Sequence, residues 1–521
     1  MLGQNEGTHN MINTKRALFT VLAIFALTSI TVTPAFSADK LTLADFSETS
    51  FSKTIDFLDY AREYSTENGK TAPNASSHAW LYLTYVNTKG MQMMYAGLQN
   101  ITTDGTNSFT LPIQSWMMHY KSQNGSKDLV TAGSFIMLLA FAENSTTKYP
   151  DSPDKNDTLF ASFNLGFDLT SKFGEETPPG LSTKTTIIPL ASKNNDTEWT
   201  WGMHYTNMTA IWWETGMGPD HTSKKLIAVS RYDELTFTYN LVLNPSTGTA
   251  TLTANYVIGK ITDLWVIAGG WLGALLNLIA PGITVAHFNN TGCYWLNNPI
   301  PSLGNVHQYL SEKDIKMSIV QFQSTVVLNH TTISESDGSN VAGDEKLVSN
   351  SSITTTTNDN EKIFNADFAT KQTYRLYNYT EDETETQFAT YNTTTRTTKA
   401  ANLANNPIFN VYTFLMRYIP IVLANMDPTL YQQAKEHLLN LDYADYFCII
   451  TYPTYSGYRV VHDPTYTAYY NANAQTPVNP PNWGGLIVLA TIIAIVAGGA
   501  VVILKRRKPK QTANMQHQTT A

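Results

Sequence analysis

Cysteine is almost missing from this chain: Cys293 and Cys448 are the only two in 521 residues. That excludes a disulfide-dense small module and a multi-cysteine zinc ribbon. Charge is sparse as well, at 15% of residues, and basic charge is the sparser, with 34 Lys and Arg against 42 Asp and Glu. A nucleic-acid binder needs a basic face to displace counterions from phosphate, so that class is excluded. The chain has no Gly-x-Ser-x-Gly elbow, His-Glu-x-x-His zinc helix, phosphate loop or dinucleotide glycine fingerprint. Their lack lowers the expectation of an enzyme without removing it, because active sites can be assembled from scattered residues. No internal repeat of solenoid or propeller length is visible.

What is abundant is aromatic: 28 Tyr, 22 Phe and 10 Trp. Disordered chains are poor in these residues, so the chain folds. Its length allows about two to four ordinary domains or one or two large β-rich ones.

The two ends set the expected topology. Lys15 and Arg16 precede an uncharged apolar run from Ala17 to Val32, and Ala35-Phe36-Ser37 offers small residues for a cut before Ala38. This is the pattern of a signal peptide over residues 1–37, with the remainder exported. Near the other end, Trp483 to Leu504 contains no charge and runs into Lys505-Arg506-Arg507-Lys508 and Lys510. Its 22 residues suffice to cross a hydrocarbon core of roughly 30 Å as a helix. The cations place the tail, 505–521, in the cytoplasm by the positive-inside bias. A single-pass cell-membrane protein follows, with an acidic exterior and a basic inner foot.

Twelve Asn-x-Ser/Thr acceptors lie between the two apolar ends: Asn74, Asn100, Asn124, Asn144, Asn156, Asn195, Asn207, Asn289, Asn329, Asn350, Asn378 and Asn392. None lies in the tail, which suits a glycosylated surface protein. An exported cysteine pair is expected to be bridged, so Cys293 and Cys448 are read as a disulfide. In layout alone, with signal, sequon-rich ectodomain, stalk, span and short basic tail, the chain resembles prokaryotic and especially archaeal cell-surface glycoproteins. That resemblance implies an envelope protein and carries no site residues.

Along the chain the expected fold is α+β: a mainly antiparallel β ectodomain of sandwich-like meanders with a few helices, plus one C-terminal transmembrane helix. Residues 38–190 read as a helix/strand region, with helical spacing at Phe51, Ile55 and Leu58 and again over 77–98. Residues 191–332 hold the clearest pattern. Trp199, Trp201, Met203 and Tyr205 alternate, as do Leu235 to Leu243 and Ala250 to Ile258, on either side of Asn244-Pro245-Ser246-Thr247-Gly248. Within this region Leu264 to Ala286 carries no charge. Leu264, Ile267, Trp271, Leu275, Leu278 and Ile279 predict an apolar helix over 264–280, with a second span or a membrane-inserting segment as alternatives. Residues 333–400 form a polar, Thr/Asn-rich insertion. Residues 401–472 carry two helices, one opened by Asp427-Pro428, then a Tyr-rich hairpin with eight tyrosines from Tyr443 to Tyr470. A stalk at 473–482 leads to the span at 483–504.

Chemistry-bearing residues are few. Methionine pairs with histidine at His119, at Met203-His204 and before His221, a soft donor set that suits copper or haem iron. The plainer account is core filling, since Met beside Trp on alternating strands fills gaps. Asp151, Asp154, Asn156 and Asp157 crowd oxygen ligands as calcium sites do, but Pro153 interrupts them. Asp220-His221 and His462-Asp463 are isolated dipeptides. The leading expectation is therefore a membrane-anchored surface protein that binds envelope glycans or another surface protein without catalysis and without a bound cofactor. The alternatives are an exported, membrane-anchored enzyme or copper/haem redox protein using the Met/His-rich region, and a membrane-remodelling or fusion protein acting through 264–286.

Overall fold

The computed structural model describes residues 50–56, 78–103, 107–110, 112, 114–142, 158–164, 183–194, 196–215, 224–267, 285–295, 298–327, 333–337, 346–348, 352–357, 359–367, 374–377, 388–391, 394–399, 444–452 and 457–474. In chain order these hold β1 (Ser50–Asp56), β2 (His78–Thr88), β3 (Met91–Thr103), β4 (Asn107–Phe109), β5 (Gln114–Lys121), β6 (Asp128–Ala142) and β7 (Thr158–Asn164). Next come β8 (Lys184–Lys193), β9 (Glu198–Thr215), β10 (Lys224–Asn244), β11 (Thr249–Ile258), β12 (Ile261–Ile267), β13 (Val285–Asn289), β14 (Cys293–Trp295) and β15 (Asn298–Pro299). One helix, α1 (Val306–Glu312), precedes β16 (Ile315–Val327), β17 (Ile333–Asp337), β18 (Lys346–Val348), β19 (Ser352–Thr357) and β20 (Lys362–Asp367). The remaining strands are β21 (Tyr374–Tyr377), β22 (Phe388–Tyr391), β23 (Thr394–Lys399), β24 (Ala444–Tyr452), β25 (Val460–His462) and β26 (Thr465–Tyr469).

Every pairing among the described strands is antiparallel, as expected of a mainly β chain. One layer runs β1-β2-β3-β5-β6-β16-β24-β23-β18. The other runs β8-β9-β10-β11-β26-β20-β19-β17. Strand β7 joins them, pairing with the second half of β6 on one side and the second half of β9 on the other. The first half of β10 carries a separate extension, β12-β13-β14-β15.

The layers meet through rings. Tyr95 packs on Tyr239 at 4.9 Å and on Trp201 at 5.9 Å, Phe135 on Phe237 at 4.8 Å, and Trp116 on Tyr466 at 4.8 Å. Each such pair adds about 0.5–1.5 kcal/mol beyond its buried area. Polar groups are matched across the same interior. Tyr205 donates to the Leu98 carbonyl at 2.7 Å and accepts from Gln114 Nε2 at 2.7 Å, while Tyr466 donates to Gln321 at 2.7 Å. Burial holds the phenols of Tyr95, Tyr205 and Tyr239 well above their usual range, so they are neutral donors.

The meander forms where the alternation predicts it. In β11, Ala250, Leu252, Ala254, Tyr256 and Ile258 are all buried, and Gly248, at φ 63°, closes the turn from β10. Three helical expectations fail. Residues around Phe51 form β1, and 78–103 form the β2-β3 hairpin rather than a helix. The cause is burial on both faces: Tyr82 and Val86 join the inter-layer core, while Leu81, Leu83 and Tyr85 are buried on the opposite face. With neither face exposed, the period of two disappears from the sequence. The expected helix over 264–280 also begins as strand β12, in which Leu264, Trp265 and Val266 are buried. The polar insertion 333–400 supplies β19 and β20 to the second layer, with Ile353, Ile363, Phe364 and Ala366 in its core.

Among the described residues no helix is long and apolar enough to cross a membrane, which says nothing of a β-barrel. The signal-like segment, the stretch 483–504 and the two helices expected between 409 and 441 lie outside the described residues.

Candidate functional site

Among the described residues, several ionisable side chains gather where β10 changes partners. Its second half pairs with β11 and its first half with β12, and the register shifts between Arg231 and Tyr232. Asp233 and Glu234 occupy this irregularity, clamped by Asp233 N–H donating to the Lys260 carbonyl at 3.0 Å and Gly259 N–H to the Glu234 carbonyl at 2.9 Å. Residue 259 must be glycine, because a Cβ there would run into the Asp233 carboxylate and the Glu234 backbone.

Two linked sets of contacts result. In the first, Asp263 on β12 accepts from His287 Nε2 at 2.9 Å through Oδ1. Its Oδ2 accepts from Arg231 Nε at 2.8 Å, from a second Arg231 nitrogen and from Thr262 Oγ1 at 2.8 Å. The His287 ring stacks flat on Trp265, with centroids 5.0 Å apart. Burial by itself would raise the Asp263 pKa, but the donors from His287 and Arg231 outweigh it and hold the carboxyl below its usual range. In the second set, His204 Nδ1 lies 2.6 Å from Thr236 Oγ1 and 3.7 Å from Glu234, whose other oxygen accepts from Arg459 at 2.9 Å. Burial raises the Asp233 carboxyl, outweighing the Glu234 N–H that donates to its Oδ1 at 2.8 Å and opposes the shift.

An Asp-His pair can orient an imidazole, the supporting half of a general-base arrangement. Here Arg231 shares the same carboxylate, which suits a neutralised polar anchor better than a base. A separate ionic contact ties the layers at another place. Lys127 donates to Asp359 at 2.9 Å and to Glu361 at 3.2 Å, and Thr357 and Lys127 lower the Asp359 carboxyl to about 2.

The sequence candidates do not converge. Met203 points into the core, with its sulfur 3.8 Å from Gln114 Nε2, whereas the next residue, His204, faces outward to Thr236. His119 is buried on β5, between the core residues Met118 and Tyr120 in sequence and so on the opposite face. His221 and the acidic loop 151–157 lie outside the described residues. Among the described residues no three His, Cys, Asp or Glu side chains are grouped to hold a metal ion. Cys293 stands as a free, buried thiol rather than half of the expected bridge, and burial pushes it up to about 12. The side chain of Cys448 is outside the described ones. The tyrosines near the C-terminal hairpin are largely structural: Tyr452, Tyr466 and Tyr470 are buried, and Tyr458 stacks on His307 at 4.4 Å.

Sequence reasoning missed Asp263 and His287, although a signal was present. They are the titratable residues that bracket the uncharged run 264–286. Pairing of β12 with β13, from Asp263↔Asn289 to Ile267↔Val285, folds the bracket shut. No protein-family model, curated protein or solved structure matches the chain. Function must therefore be read from the residues themselves.

Proposed function

We propose that the chain is a single-pass, membrane-anchored cell-surface protein whose β ectodomain binds a partner or envelope component without catalysis. The observation that carries this reading is the order of its segments. A basic and apolar leader comes first, twelve sequons are confined to the middle, and an uncharged stretch of 22 residues ends in a cluster of cations. The packed interior supports it, because rings from the two layers touch directly and the Met/His candidates point to opposite faces. Protease treatment of intact native cells tests it. The ectodomain should be digested while an epitope after Lys510 stays protected, and a protected ectodomain would refute the proposal.

A second reading is favoured by the β12-β13 pairing. The strands leave and re-enter at neighbouring positions, Ile267 and Val285, whereas a single membrane crossing separates its ends by roughly 30 Å. That pairing does not suit one span over 264–286. The connecting residues 268–284 include Trp271, Leu272, Leu275, Leu276, Leu278 and Ile279 and no charge. Such a connection suits insertion into a lipid surface. The full chain should then bind vesicles in which it is not reconstituted, and Leu275→Asp with Leu276→Asp should abolish that binding. Undiminished binding by this variant would remove the reading.

A further inference from the structure

Four of the twelve sequons have a described setting, and they differ in how the amide nitrogen is presented. Asn100 lies in β3 opposite Trp80. Asn207 lies within β9, at φ 55°, with its partner Thr209 buried and paired to Arg231. Asn124 is in an exposed turn, where its Oδ1 accepts from three donors, Ser122 Oγ at 2.8 Å, Ser126 Oγ at 2.6 Å and Ser126 N–H at 2.8 Å. Its Nδ2 is already committed, donating to Glu361 at 2.8 Å. Glu361 in turn holds Lys127.

Asn289 stands at a turn, unlike Asn100 and Asn207 within their strands, and unlike Asn124 it does not give its Nδ2 to a carboxylate among the described residues. It ends β13 at a tight turn closed by its own N–H donating to the Gly292 carbonyl at 2.9 Å. Its Oδ1 accepts from Thr291 Oγ1 at 2.7 Å, Thr291 N–H at 2.9 Å and Gly292 N–H at 3.1 Å. Its Nδ2 has no partner among the described residues. Three donors on the amide oxygen draw density from the nitrogen and make its protons easier to lose, and the side chain is held with that nitrogen unoccupied.

We propose that Asn289 is a site of N-linked glycosylation, preferred over Asn100, Asn124 and Asn207. This rests on the exported placement argued above. The donor is a lipid-linked sugar phosphate. A bond forms between Asn289 Nδ2 and the anomeric carbon, the bond from that carbon to the phosphate oxygen breaks, and the lipid phosphate leaves with the electron pair. One Nδ2 proton passes to a base of the transferase. Because Asn289 faces Asp263 across the β12-β13 ladder, the glycan stands on the same face as the Asp263-His287 pair.

The test is peptide mass mapping of the full chain from native membranes, after protease accessibility has been recorded on intact cells. The Asn289 peptide should carry the sugar mass. Asn289→Asp should lose it, since Asp keeps the turn acceptor and removes only the amide nitrogen. Thr291→Ala should lose it as well, while Thr291→Ser retains part. An unmodified Asn289 in an accessible ectodomain overturns this inference and leaves the surface reading standing, whether or not Asn124 is modified. An inaccessible ectodomain overturns both.

Discussion

Replacing Asp263 by Asn preserves shape and removes one charge, which isolates the electrostatics of the β10-β12-β13 junction. The Asp263 side chain is 9% exposed, Arg231 20% and His287 24%, so solvent screens the group only weakly. Removing one partner of a buried ion pair costs about 3–5 kcal/mol, because the other charge is left uncompensated. The modest exposure of Arg231 places the expected loss near the low end, about 3 kcal/mol. Urea unfolding of the detergent-solubilised chain, followed by tryptophan fluorescence, reads this as a lower midpoint. The pH dependence gives a second handle. The folded Asp263 pKa lies below its ordinary value, near 3.9 in unfolded chains. Its contribution is therefore complete above about pH 4. It drains away as pH falls towards the folded value, because the unfolded chain takes up the proton first. Asp263→Asn should lack this acid-sensitive component. A loss below about 0.5 kcal/mol, the usual size for an unremarkable surface change, or an unchanged acid slope, would refute the reasoning.

Tyr205→Phe should destabilise by about 2 kcal/mol, since it strips Gln114 Nε2 of its 2.7 Å acceptor and the Leu98 carbonyl of its donor within the core. Thermal melting followed by near-ultraviolet circular dichroism measures it, and an unshifted midpoint contradicts the assigned bonds. At pH 8 the Cys293 thiol, buried and raised to about 12, should resist iodoacetamide in the native chain and react promptly in urea. Equal rates in the two states would show that the thiol is open to solvent.

The meander from β9 to β11 was legible because one face of each strand packs and the other meets solvent, which writes a period of two into Trp199 to Tyr205 and Ala250 to Ile258. The turn residues Asn244 to Gly248 were equally plain. Strands β2 and β3 were not, because Leu81 and Tyr82, or Met93 and Met94, are buried on opposite faces and their apolar runs carry no phase. A run of that kind suits a helix as well as a strand until its partners are known.

The polar junction shows the same division. Composition and order by themselves determined that the chain is aromatic-rich, poor in cysteine and charge, largely antiparallel in its best-patterned stretch, and flanked by apolar ends. Only the tertiary structure decided that Arg231, Asp263 and His287 meet, that Met203 and His204 do not act together, and that Asn289 stands at a turn while Asn124 commits its amide nitrogen to Glu361. The physical reason is distance along the chain. Periodicity reports which face of an element is buried, whereas a side-chain constellation depends on register between strands that are far apart in sequence, and no local pattern records that register.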